Sequence, residues 1–256
     1  MKITDMNSFS GYIGGKKALR NKIIDKFTCE FDRYIEVFGG AGWVLLHKDR
    51  HAPFEVYNDI NSELVNLFRC VKAQPGEFIK ELDWSIISRQ IFNEYRQHPT
   101  ESLTEIQRAY RFLYLLKYSF CAKTTTFGAN NRTMPPPEYF RELHTRLEKV
   151  IIENKPFESV IKQYDRTSAL FYLDPPYYGT EKYYNVNEIN FTADDHVKLR
   201  DILTGIKGRF VLSYNDSEYI RELYKDFNIC EATRGSNFQA HRGTRPLYYE
   251  LIISNY

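Results

Sequence analysis

The sequence predicts an α/β fold built on a seven-stranded and mostly parallel sheet, on three observations. Ala169, Leu170, Phe171, Tyr172 and Leu173 form a nearly continuous apolar run, the pattern of a strand buried on both faces of a parallel sheet. Residues 34–38 run into Gly39, Gly40 and Gly42, the strand, glycine loop and helix start of doubly wound sheets. From Val150 onward strand and helix patterns alternate, except that no helix separates the last two strands. That pair should therefore be antiparallel neighbours at one end of the sheet.

Composition narrows the function classes. A chain of 256 residues can bury one large core or one domain with an insertion. No apolar run approaches the roughly 18 residues of a membrane span, and Met1-Lys2-Ile3-Thr4-Asp5 has no apolar core of a signal peptide. Cys29, Cys70, Cys121 and Cys230 lie far apart, as expected of reduced thiols in a cytoplasmic protein. His47 and His51 have i,i+4 spacing, but neither an H-E-x-x-H pattern nor a third ligand accompanies them, so no metal is expected. A net charge of +2 means that any polyanion partner must be met by locally clustered basic residues.

Each element follows from its pattern. Residues 9–17, F-S-G-Y-I-G-G-K-K, form a glycine-rich loop in which Lys16 can meet a carboxylate. Ala18, Leu19, Ile23, Ile24 and Phe27 then make a helical stripe. After the strand at 34–38 and its glycines, residues 43–48 read as a helix. The second strand, 54–57, ends at Asn58-Asp59-Ile60-Asn61, where Asp59 suits either a ribose hydroxyl or a helix N-cap. Residues 62–100 read as helical. Ser102-Leu103-Thr104-Glu105 reads as a capping box opening a helix with Ile106, Ala109, Tyr110, Leu113 and Leu116 on one face. On that helix Arg108, Arg111 and Lys117 are expected in solvent or facing phosphate.

Residues 119–137 lack periodicity and are rich in Thr, Asn and basic side chains, with Lys123 and Arg132 suited to phosphate contacts. A helix over 138–149 and a strand over 150–152 precede the apolar run. Thr192 and Asp195 cap a helix bearing Leu199, Ile202, Leu203 and Ile206, and a strand at 209–213 leads into Ser213-Tyr214-Asn215-Asp216. A helix with Ile220, Leu223, Tyr224 and Phe227 follows. Strands at 228–232 and 247–253 flank a loop carrying Arg234, Arg242 and Arg245.

The apolar run stops at Asp174-Pro175-Pro176-Tyr177, because proline cannot continue a central strand. A carboxylate and an aromatic ring are thereby held at the carboxyl end of a buried strand, where open α/β sheets keep their ligands. Such a corner suits methyl transfer to the exocyclic amino group of a nucleobase. The Asp174 carboxylate and the Pro175 carbonyl would accept both amino hydrogens, and Tyr177 would stack on an extruded base. The alternative is a proline-rich turn with a solvated aspartate.

Taken in order, these blocks resemble the Dam-type DNA adenine-N6 methyltransferases, which use S-adenosylmethionine. Tyr12-Ile13-Gly14-Gly15-Lys16 is similar to the family's G-G-K motif, Glu36-Val37-Phe38-Gly39-Gly40-Ala41-Gly42 to its cofactor loop, Asn58-Asp59-Ile60-Asn61 to its D-I-N motif and Asp174-Pro175-Pro176-Tyr177 to its catalytic motif. Phe191-Thr192, Ser213-Tyr214-Asn215-Asp216 and the C-terminal Tyr249–Tyr256 stretch resemble later motifs. The resemblance implies a Rossmann-like, seven-stranded methyltransferase sheet whose catalytic domain comprises residues 1–62 and 150–256, with a mostly helical target-recognition insertion at 63–149. It implies that Tyr12, Lys16, Glu36, Phe38, Gly40, Asp59, Ile60 and Asp174 line the S-adenosylmethionine pocket, and that Asp174, Pro175 and Tyr177 hold a flipped adenine. Lys123, Arg132, Arg242 and Arg245 are the expected contacts to double-stranded DNA.

One departure limits the carry-over. Lys117-Tyr118-Ser119-Phe120-Cys121-Ala122-Lys123 stands where many relatives have Arg and Asn before a Phe-Gly, so no G-A-T-C target follows. Cytosine N4, an RNA adenine or a protein glutamine amide would suit the same acceptor geometry, and a non-catalytic DNA-binding regulator is the alternative of a different class. A monomer or weak dimer, cytoplasmic and DNA-associated, is expected.

Overall fold

Side chains alternate across a strand, and along the central strands both sets are apolar. In β1 (Arg33–Glu36) and β4 (Ala169–Leu173), Tyr34, Leu170 and Tyr172 face one hydrophobic core. Ile35, Ala169, Phe171 and Leu173 face another. The architecture is therefore a sheet between two helical layers. It is seen in a computed structural model that describes residues 6–11, 14–83, 85–97, 99–128, 133–181, 191–235 and 247–256.

The remaining strands are β2 (Phe54–Asn58), β3 (Val150–Glu153), β5 (Arg209–Asn215), β6 (Asn228–Gly235) and β7 (Leu247–Ser254). Their order is β3-β2-β1-β4-β5-β7-β6, with β1 to β5 parallel and β7 antiparallel to both its neighbours. All seven expected strands are present. The final two are antiparallel neighbours at one end of the sheet, with β7 slotted between β5 and β6.

One core is covered by α1 (Arg20–Ile24), α2 (Ser62–Ala73), α3 (Pro75–Leu82), α4 (Arg89–Gln97), α5 (Glu105–Tyr118) and α6 (Pro137–Leu147). The other is covered by α7 (Phe157–Tyr164), α8 (Ala193–Gly205) and α9 (Glu218–Leu223). The helices α2 to α6 all lie between β2 and β3 and share one continuous core with the sheet. No helix among the described residues is long and apolar enough to cross a membrane.

Several local expectations are corrected. The helix expected over 43–48 is a single 3-10 turn, Leu45–His47, because its carbonyls are taken by other partners. His51 Nε2 lies 2.9 Å from Val44 O, and the Arg146 guanidinium donates to Leu45 O at 2.7 Å and Lys48 O at 2.8 Å. The capping box of α5 is Thr104 with Gln107, two residues later than expected. Glutamine serves as well as glutamate at that position. Asn61, not Asp59, caps α2, accepting from the backbone N–H of Glu63 and Leu64. Arg108 and Arg111 are half-buried and engaged within the protein: Arg108 pairs with Glu63 on α2, and Arg111 donates to Tyr95 O on α4 at 2.5 Å. The stretch 62–100 is broken into α2, α3 and α4, with Pro75 pre-set for the first turn of α3.

Candidate active site

The connections leaving β1 run to β2 on one side, while the chain re-enters on the other side at β4. Ligands of open α/β sheets bind at such a switch point, beyond the carboxyl ends of the strands. A cavity of about 410 Å³ lies there, between the ends of β1, β2, β3 and β4. The glycine loop is its floor. Gly39 N donates to Asn58 O at 2.8 Å, which brings the loop down against β2. A Cβ on Gly39 would stand 2.3 Å from the Tyr57 ring, so only glycine fits. Tyr57 OH then donates to Gly40 O at 2.6 Å.

Asp59 clasps the same loop from the end of β2. Its Oδ2 accepts from Gly40 N at 2.7 Å and its Oδ1 from Asn61 N at 2.8 Å. Burial raises its pKa, and these backbone N–H groups oppose the shift. A carboxylate has about four acceptor directions, so capacity toward the cavity remains.

Glu36, the last residue of β1, is 1% exposed and lines the cavity. Tyr34, two residues back on the same strand face, donates its hydroxyl to Glu36 Oε2 at 2.7 Å. The Leu45 backbone N–H also serves the carboxylate, yet burial still drives the pKa up to about 8, with Asp174 adding to the rise. A buried carboxyl so far from its ordinary range favours a ligand that brings positive charge.

Asp174 follows β4 directly and lines the same cavity. Lys16 grips it at 2.6 Å from Oδ1 and 2.7 Å from Oδ2, and Ser213 Oγ donates to Oδ1 at 2.9 Å. Burial nevertheless raises the Asp174 pKa against these partners, with Glu250 adding repulsion. Lys16 also donates to Gly14 O at 2.8 Å and sits 4.6 Å from the centre of the Tyr177 ring. The Tyr177 hydroxyl turns away and donates to buried Glu250 Oε2 at 2.5 Å. Phe38, Phe157 and Phe191 form an aromatic cluster, with ring centres 5.7–5.9 Å apart, on one side of the cavity.

The cavity thus gathers Lys16, Glu36, Phe38, Gly40, Asp59, Ile60 and Asp174, all singled out from the sequence. Pro176 lines it, whereas Pro175 and Tyr177 are buried in the turn that bounds it. Tyr12, Arg132, Arg242 and Arg245 lie outside the described residues. Lys123 is exposed in a turn where Cys121, Ala122 and Thr124 have φ of 55°, 55° and 58°. Sequence reasoning gave no cavity role to Trp43, Asn58, Pro156, Phe157 or Asp195. The sequence signal for Phe157 was present: it begins the helix that follows β3, at the carboxyl edge of the sheet.

The family model of the D12 class N6 adenine-specific DNA methyltransferases matches residues 12–237. The chain is 29% identical to the type II methyltransferase M1.LlaDCHI of Lactococcus lactis subsp. cremoris, over 98% of this chain and 96% of that protein. It is 24% identical to the type II methyltransferase M.CviBI of Paramecium bursaria Chlorella virus NC1A, covering 95% and 97%. It is likewise 24% identical to the DNA adenine methylase of Escherichia coli K12, covering 96% and 94%.

Proposed function

The chain belongs to the D12 class of N6 adenine-specific DNA methyltransferases, and on that premise we propose how its cavity carries out the transfer. Glu36, Phe38, Gly40, Asp59, Ile60 and Lys16 hold S-adenosylmethionine, and Asp174, Pro175 and Tyr177 hold the target adenine. Tyr12 and Asp174 complete the donor site. The observation that carries this reading is that the Asp174 carboxylate and the glycine loop line one cavity. The residues fit the donor: Glu36 is buried, Asp174 is half-buried, and the pKa values of both acids are raised. A cationic ligand relieves both.

The donor supplies an electrophilic methyl group on a sulfonium. The protein's task is to make a poor nucleophile ready for it, because the lone pair of the adenine amino nitrogen is delocalised into the ring. Asp174 and the Pro175 carbonyl accept the two amino hydrogens, which favours a pyramidal nitrogen and aims its lone pair. As positive charge develops on that nitrogen, Asp174 stabilises it from a fixed position in a dry site. Lys16, which spans both carboxylate oxygens in the free protein, must yield one of them to the amino group. Asp174 is also the nearest base for the proton the methylated nitrogen sheds. Tyr177 stacks on the base once it leaves the duplex.

We assign duplex recognition to the helical insertion 63–149, with Lys123 and Arg132, and to Arg242 and Arg245. The left-handed residues on either side of Lys123, Cys121 and Ala122 before it and Thr124 after it, support this reading, since such strain is concentrated at functional turns. The test is to incubate the protein with methyl-tritiated S-adenosylmethionine and unmethylated duplex DNA, then digest to nucleosides. Label in N6-methyladenine, lost in Asp174→Ala, is expected. Label in N4-methylcytosine, or an active Asp174→Ala, would overturn the assignment of roles.

A further inference from the structure

The hydroxyl of Tyr177 has a partner that the transfer itself does not call for. Glu250 is 2% exposed, and it reaches the catalytic corner only because β7 runs antiparallel between β5 and β6. In that register Glu250 lies opposite Asn215 on β5 and Ala232 on β6. Its Oε2 accepts from Tyr177 OH at 2.5 Å, and its Oε1 accepts from Arg234 Nε. Arg234, on β6, stacks over the Tyr248 ring at 4.9 Å, which fixes its own direction. A buried charge held at one end by an arginine and at the other by a phenol is a rigid strut.

We infer that Glu250, oriented by Arg234, is a positioning residue that fixes where the Tyr177 ring points, so that it can stack on the flipped base. The inference rests on the reading of Tyr177 as the stacking ring. An untethered tyrosine side chain can swing among its staggered χ1 rotamers, carrying the ring elsewhere. Here the tip of the ring axis is tied down at the hydroxyl, while Lys16 lies over the ring, 4.6 Å from its centre. The bond also occupies the phenolic proton, so Tyr177 offers the base a face and not a hydrogen-bond donor. Glu250 has a cost: its charge adds to the repulsion felt by Asp174. Arg234 offsets that charge without reaching the cavity.

The test compares Glu250→Gln, Tyr177→Phe, the double variant and Tyr177→Ala in the full-length protein. The readouts are steady-state methyl transfer to unmethylated genomic DNA, donor affinity, and fluorescence of a duplex with 2-aminopurine in place of the methylated adenine. Glu250→Gln and Tyr177→Phe should each lower kcat about tenfold, near the worth of one hydrogen bond to a charged acceptor. Both should diminish the flipped-base fluorescence signal, with donor affinity unchanged. The double variant should be no worse than the poorer single one, because both changes act on the same charge-assisted bond, Glu250→Gln by taking away its charge and Tyr177→Phe its donor. Additive losses, or an unchanged fluorescence signal in Glu250→Gln, overturn the inference. If Glu250→Gln does not fold, Tyr177→Phe removes the bond from the other end, and wild-type kcat in that variant overturns it too. A Tyr177→Ala variant with full flipping instead overturns the stacking role of Tyr177 itself. A damaged Tyr177→Ala beside a normal Glu250→Gln overturns only the strut.

Discussion

Glu36 offers a quantitative test of the donor pocket through protons alone. Its pKa rises from 4.5 to about 8 on burial. At pH 7 the free protein then holds about 0.9 proton on this carboxyl. A bound cation beside it restores ionisation, so binding S-adenosylmethionine at pH 7 should release close to that amount from Glu36. Titration calorimetry in buffers of different ionisation enthalpy reads the release directly, and Glu36→Gln supplies the baseline for protons shed by the ligand. The same shift appears in stability. Because the folded pKa lies above the unfolded one, the group's penalty is absent below pH 4.5 and grows as pH rises toward about 8. At pH 7 it amounts to about 3 kcal/mol. Glu36→Gln should therefore bind the donor more weakly yet gain about 2–3 kcal/mol of stability relative to wild type between pH 5 and pH 7. Equal proton release in wild type and Glu36→Gln, with parallel pH–stability curves, would refute a cation-seeking Glu36.

Further outcomes concern the frame around the cavity. Gly39→Ala should lose about 1–3 kcal/mol of stability by overpacking, with weaker donor binding, because the new Cβ meets the Tyr57 ring at 2.3 Å; thermal unfolding and donor titration check both. Arg146 is buried, pairs bidentately with Glu55 at 2.7 and 3.0 Å and ties down Leu45, whose N–H serves Glu36. Arg146→Ala should cost about 3–5 kcal/mol in denaturant unfolding and weaken donor binding as well. Thr104→Ala should lose about 1 kcal/mol, the worth of the α5 cap, whereas Ser102→Ala should leave the unfolding midpoint unchanged.

Legibility in the sequence followed the range of the interactions. The run 169–173 announced a doubly buried strand because both its faces are apolar, and the proline pair after it marked where the strand ends. The glycine loop and Asp59 were readable because each is a short block of characteristic residues at a strand end, although the two clasp each other across nineteen positions. Cap positions slipped where two polar residues competed, as with Ser102 and Thr104, because a hydroxyl's partner is chosen by backbone geometry that letters do not carry. The turn at 45–47 was misread as a helix because its carbonyls are claimed by Arg146, about a hundred residues away. Glu250 was invisible for the same cause. In Tyr249-Glu250-Leu251 it reads as a polar position on an alternating strand, and only the antiparallel register of β7 carries it to Tyr177.

Single-turnover methyl transfer by Asp174→Asn, set beside its donor affinity and its 2-aminopurine flipping signal, tests the role of the catalytic corner most directly. The geometry predicts that the chemical step falls about 10²–10³-fold or more, the loss of one fixed charge-stabilising group, while donor binding and base flipping persist. A rate within a few-fold of wild type would contradict it.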